Sequence, residues 1–193
     1  PVWRLSNNGA PQRIAATGIF ELPFGKGKPL LHSGIASALL GGFQIAATFE
    51  TEPGPYINWG NVFYYGSDLS NITSGFGSIG NTGTGRTLDH WFNTDGFERT
   101  AAKAPSAYNT RAFPSRVGGL RSNGLNKWDG NIQRTFRLYE GVDFQVRVDA
   151  INLFNHTQFA PPNVDPLSTD FGRVTTNSST VMRFLLFQGK FRF

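Results

Sequence analysis

Val142-Asp143-Phe144-Gln145-Val146-Arg147-Val148-Asp149-Ala150 alternates apolar and polar residues without error. Strand side chains point to opposite faces at period two, so this segment has one wholly apolar face and one wholly polar face. A soluble sandwich strand shows that pattern with its apolar face in a core. A barrel strand shows it with lipid outside and water inside. Other segments must decide between them.

The final segment sets Val181, Arg183, Leu185, Phe187, Gly189, Phe191 and Phe193 on one face, and Met182, Phe184, Leu186, Gln188, Lys190 and Arg192 on the other. Ends of soluble domains are usually frayed and polar, whereas this aromatic face runs on to Phe193. It resembles the terminal strand of outer-membrane proteins. The resemblance implies that Phe187, Phe191 and Phe193 form a signal read by the barrel-assembly machinery.

Upstream, Trp128, Gly130, Ile132, Phe136 and Leu138 oppose Asp129, Asn131, Gln133, Thr135 and Arg137, with Arg134 the one charge on the apolar side. An earlier strand sets Ile35, Leu39, Phe43, Ile45, Ala47 and Phe49 against Gln44, Thr48 and Glu50. The first, about Gln12 to Leu22, sets Ile14, Ala16, Phe20 and Leu22 against Arg13, Thr17 and Glu21. The expectation is all-β, an antiparallel meander of about five strands.

Tyr139-Glu140-Gly141 reads as a tight turn and Pro23 to about Ser33 as a modest loop, while about 51–124 and about 155–180 are long, Gly- and Asn-containing connections. Short turns and long loops therefore alternate, as they do in outer-membrane barrels between the periplasmic and extracellular sides. With Phe193 on the periplasmic side, both long loops fall outside. Five strands do not close a barrel, since single-chain bacterial barrels have even numbers from about eight upward and lipid tolerates no open edge. The sequence, which opens at Pro1-Val2-Trp3 without a signal segment, is expected to be the C-terminal fragment of one outer-membrane barrel, with no plug domain.

Composition agrees with a β-rich chain. Gly 23, Pro 11 and Phe 18 stand beside Met 1, and no long stretch repeats apolar residues at helical spacing. Cys 0 excludes disulfides and thiolate metal sites. No segment approaches the roughly 18 apolar residues of a membrane helix, a test that barrel strands escape. The net charge of +5 is spread along the chain and forms no fused basic stripe, so nucleic acid is not an expected partner.

The segment Phe144-Gln145-Val146-Arg147-Val148-Asp149-Ala150-Ile151-Asn152-Leu153-Phe154-Asn155-His156, with Phe159, Phe171-Gly172-Arg173-Val174 and Phe191-Arg192-Phe193, resembles the C-terminal end of the TonB-dependent receptor superfamily, most closely its Oar-like branch. Glu21-Leu22-Pro23-Phe24-Gly25-Lys26-Gly27 and Leu40-Gly41-Gly42-Phe43-Gln44-Ile45 resemble the strand-turn-strand before the long loop in that branch. The likeness is weak between about Pro53 and Leu120. It implies energy-coupled uptake across the outer membrane. The partners would be outer-membrane lipid, an extracellular ligand, and the energy-coupling TonB protein acting through a plug and box that these residues do not contain.

No catalytic residue, cofactor or metal is expected. His32, His90 and His156 are isolated, and Asp89-His90 lacks a placed nucleophile. Asn93-Thr94-Asp95-Gly96 fails the calcium-loop pattern because Trp91 and Ala102 stand at required ligand positions. Gly83-Thr84-Gly85-Arg86 lacks the Lys-Ser/Thr of a phosphate loop. The functional candidate is the first long loop. There Tyr56, Trp59, Tyr64, Tyr65 and Trp91 are interleaved with Asn58, Asn61, Asp68 and Asn71. Flat aromatic faces beside amides and carboxylates suit a sugar or peptide, and a loop packing its own aromatics has the same composition. Two other functions remain open at this point: a non-transporting surface barrel, and a soluble β-sandwich module recognising carbohydrate.

Overall fold

The computed structural model describes residues 12–31, 33–74, 86–106, 108–177 and 182–193. Five strands form one sheet in the order β1-β2-β3-β4-β5, so each strand neighbours the next in sequence. They are β1 Ile14–Glu21, β2 Phe43–Glu52, β3 Leu125–Tyr139, β4 Val142–Ile151 and β5 Phe184–Arg192. The pairs β1–β2, β3–β4 and β4–β5 are antiparallel. The chain divides into two compact units, the sheet with its short connections and a second unit made from Glu52–Leu125 and Thr157–Ser179 with the residues before Ile14.

Register decides which side chains share a face. Phe136 faces Phe144, which faces Phe191, and Ile132, Val148 and Phe187 form the equivalent row. The apolar faces of β3, β4 and β5 are therefore one surface. Phe49 of β2 joins it against Trp128, ring centroids 4.6 Å apart, and Phe154 meets Trp128 at 5.8 Å. At the opposite end of the strands, Phe144 stacks on Phe191 at 4.5 Å. Aromatic rows thus border a middle of Ile132, Val146, Val148 and Gly189, interrupted by Phe187.

The other face of β3 and β4 is polar, and its side chains bond one another and their neighbours on β2 and β5. Gln133 donates to Gln44 at 2.6 Å, and Gln145 donates to Gln133 at 3.3 Å. Arg147 holds Asp149 through Nε and Nη2, and Gln188 donates to Asp149 at 2.8 Å. Such a ladder fixes register, because a one-residue slip would turn these groups onto the apolar side.

Two expectations need correction. The segment from Ile35 to Leu39 is not strand: Gly34–Leu40 is a short helix, α1, and β2 begins only at Phe43. Two Ala and two Leu make up most of its seven residues, and both types favour helix. The connection between β1 and β2 consequently runs through α1 to Gly42 rather than stopping near Ser33. Arg134 is explained by the same helix. Its guanidinium donates to the carbonyls of Leu39 and Ala38, at 2.5 and 2.6 Å, and lies over the rings of Phe136 and Phe43. The lone charge on the apolar face thus places its two Nη groups on the last, otherwise orphaned carbonyls of α1.

The turns also follow from residue chemistry. Glu140-Gly141 closes β3 and β4, with Gly141 at φ +83°. Gly25, at φ +114°, lies so close to Gly41 that a Cβ on Gly25 would come within 2.8 Å of the Gly41 Cα. At the end of β4, Asn152 and Asn155 take left-handed conformations. The Asn152 amide accepts from the His156 N–H at 2.9 Å and donates to its carbonyl at 3.0 Å. The Asn-Leu-Phe-Asn motif is thus a strand terminator, using the tolerance of Asn for this region.

Candidate functional site

The second unit is built from both long connections of the sheet. It has its own core, in which Trp59 is ringed by Phe92, Phe97, Phe113 and Phe171 at 5.0 to 6.2 Å. Phe97 stacks parallel to the indole, and the other three meet it edge-on, the arrangements an aromatic quadrupole favours. Ile57, Ile72, Val117 and Leu120 complete the interior.

Phe171 and Val174 come from the second connection, and the backbone ties them in. Trp91 N–H donates to Gly172 O at 2.9 Å, and Val174 N–H donates to Leu88 O at 2.7 Å. Gly172, at φ +82°, has no room for a Cβ, which would lie 2.6 Å from Thr94 Cγ2. Arg173 binds Asp89 at 2.8 Å and Asp170 at 3.1 Å. The Asp89 hydrogen bond holds its guanidinium above the ordinary value. Phe171-Gly172-Arg173-Val174 therefore acts as a clasp: core residue, close approach, ion pair, core residue.

This geometry sorts the five aromatic residues singled out in the sequence. Trp59 is 2% exposed and Trp91 6%. The Trp91 indole N–H donates to Arg121 O at 2.8 Å. Tyr64 packs against Phe97 and Phe113 and donates its hydroxyl to Asp68 O. Tyr56 lies half-buried beneath the Arg121 guanidinium, 3.8 Å from the ring centre. Tyr65 is 68% exposed. Four of the five thus serve packing wholly or in part, and Tyr65 alone offers most of its ring to solvent.

Beside Tyr65 the same unit has an open cleft of about 310 Å³, lined chiefly by Asn61, Phe63, Glu98, Pro105, Asp165 and Leu167. Tyr65 donates to Glu98 Oε2 at 3.3 Å. Glu98 also accepts from Thr100 N–H at 2.8 Å, which holds its carboxyl below the ordinary value. Partial desolvation and then the Glu98 charge push the Tyr65 phenol upward. The cleft is an apolar trough with ionised carboxylate at its edge. Sequence reasoning missed Glu98 and the Asp165 side of the trough, since no local pattern links residues 61–63 with 164–167.

Among the described residues no group of three or more His, Asp or Glu is placed to hold a metal. His90 and His156 are exposed; His32 and Gly83–Gly85 lie outside the described residues. No described helix is long and apolar enough to cross a membrane, which says nothing about strands.

Residues 2–185 match the family model of an outer membrane beta barrel domain, and the chain belongs to that family. No curated protein and no solved structure matches it. The family is a structural barrel domain of the outer membrane and not an enzyme family. The chain accordingly belongs to the bacterial outer membrane, and the soluble β-sandwich reading falls.

Proposed function

We propose that these residues are the C-terminal part of the barrel of a TonB-dependent receptor, of the Oar-like type, that takes up an extracellular ligand. The observation that carries the reading is the folding of both long connections into one cored unit with an open cleft. Long loops are commonly functional when ordered. The apolar sheet face would meet lipid and the glutamine-rich ladder the lumen. From Trp128 to Phe136 the aromatic-bordered band is roughly 26 Å along β3 at ~3.3 Å per residue. At a tilt near 40° it covers about 20 Å of the ~25 Å apolar height of outer-membrane barrels. Glu140-Gly141 would be periplasmic and the cored unit extracellular. The ligand would contact Tyr65 and the cleft, while Tyr56, Trp59, Tyr64 and Trp91 shape the unit beneath. Further strands, a plug and the contact with the energy-coupling protein would come from the parent outside these residues.

The test is uptake by cells making the full parent protein, across a panel of peptides, glycans and metal chelates, with and without the energy-coupling protein. Accumulation that depends on both proteins supports the receptor. Surface binding without accumulation selects the non-transporting barrel instead.

A further inference from the structure

α1 is an apolar helix with nothing buried. It carries no acidic residue in its first turn and no basic residue in its last. Ile35 is 80% exposed and Leu39 65%; at spacing i, i+4 they lie on one helix face. Leu40 adds a third exposed apolar side chain. Water is a poor solvent for such a surface, so the neighbourhood of α1 matters.

Arg134 fixes that neighbourhood. It projects from the face of β3 that also carries Trp128, Ile132 and Phe136, and its two Nη atoms bond the C-terminal carbonyls of α1. The end of α1 therefore lies on the apolar side of the sheet. On the other flank of the connection, Pro23 to Leu30 folds on itself through Leu30 N–H to Pro23 O at 3.0 Å and Lys28 N–H to Gly25 O at 3.0 Å. The Gly25–Gly41 contact seats this turn against the end of α1. Helix and turn together form a built element, continuous with the apolar wall, with exposed Lys26 beside it.

We propose that α1 is an interfacial helix, lying in the boundary between phospholipid headgroups and acyl chains on the turn side of the barrel. Ile35 and Leu39 enter the acyl region, as the apolar face of an interfacial helix does. Lys26 faces phosphate. Arg134 anchors the helix, and in return the Leu39 and Ala38 carbonyls accept from its two Nη groups, which hydrocarbon would leave unsolvated. The inference rests on reading the apolar sheet face as lipid-facing.

Site-directed spin labelling separates the two claims, helped by the lack of any cysteine in this chain. Ile35→Cys, Leu39→Cys, Val148→Cys and Tyr108→Cys are placed one at a time in the full parent protein, in phosphatidylethanolamine–phosphatidylglycerol vesicles. Heat-modifiable gel mobility confirms folding of each variant. The ratio of oxygen to nickel-chelate accessibility reads depth. Positions 35 and 39 are expected between the lipid-like ratio at 148 and the water-like ratio at 108. A water-like ratio at both overturns the inference, and so does exclusion of both reagents, which means that protein covers the helix. If position 148 itself lacks oxygen access, the lipid wall fails first. Arg134→Met should raise nickel access at 35 several-fold, and no change overturns the anchoring role.

Discussion

The ring of Phe171 stands edge-on to that of Phe97, centroids 5.1 Å apart at 77°. The two belong to different connections of the sheet, so this contact, with its neighbours around Trp59, makes two long loops into one cored unit. Phe171→Ala is expected to cost that unit about 3–5 kcal/mol, the usual range for truncating a buried aromatic. Arg173→Ala, which breaks the neighbouring ion pair with Asp89, should cost far less, because both partners are substantially exposed and solvent screens their attraction. Protease protection of the loops in the folded parent barrel measures both. Equal loss would show that the clasp is electrostatic rather than packed.

Trp59→Ala and Trp91→Ala follow the same logic. Both indoles are interior, so each substitution should loosen the unit by about 3–5 kcal/mol and lower ligand capture only as a consequence. Tyr65→Ala is the cleaner probe of the surface, since its ring is mostly in water. It should leave loop protection unchanged while reducing capture in any assay where a ligand has been found. A loss of protection in Tyr65→Ala would place the ring in the packing after all.

Acid should loosen one side of the unit selectively. Asp68 accepts from Ser70 N–H and Glu98 from Thr100 N–H, and these bonds hold both carboxyls below their ordinary values of 3.8 and 4.5. A carboxyl depressed on folding contributes stability that is fully present above its unfolded value and is lost as pH falls through its folded value. Hydrogen-exchange protection at residues 63–73 and 96–100, corrected for intrinsic rates, should therefore hold from neutrality to about pH 5 and fall only below the ordinary carboxylate range. Asp68→Asn with Glu98→Gln should flatten the dependence. Loss centred near neutrality would point to other groups.

How much of this was readable follows from the range of each interaction. The alternation from Val142 to Ala150 survives as β4 because period two is a local property, and the rows Phe136–Phe144–Phe191 simply align segments already legible. α1 was hidden because Gly34, Ala36 and Ala38 fit both alternation and helix. Its long-range partner, Arg134, lies 95 and 96 residues from the carbonyls it bonds, beyond any local pattern. The aromatics of the long loop gave composition without geometry. Trp59 and Tyr65 look alike in sequence, and only Phe97, Phe113 and Phe171 closing over one of them make it core. Glu98 left no trace at all, since what makes it part of a cleft is residues 164–167 of another loop.

The last prediction concerns β5, which stands at one end of the sheet order. Phe187, Phe191 and Phe193 share a face of this segment, yet they are held differently. Phe191 stacks on Phe144 at 4.5 Å, whereas Phe193 is 97% exposed. If the three serve as a signal for the barrel-assembly machinery, packing and recognition are separable at Phe193. Phe193→Ala should leave refolding of the purified parent in detergent almost untouched, because there is little buried area to lose. In cells it should sharply lower the amount reaching the outer membrane, since the signal is read before the barrel is closed. Phe191→Ala should weaken both, as it also removes a ring contact of about 0.5–1.5 kcal/mol beyond its burial. Heat-modifiable mobility in vitro and outer-membrane abundance in vivo are the two readouts. Normal abundance of Phe193→Ala in cells would sink the signal, and a matching loss in both assays would reduce Phe193 to one more residue of the apolar sheet face.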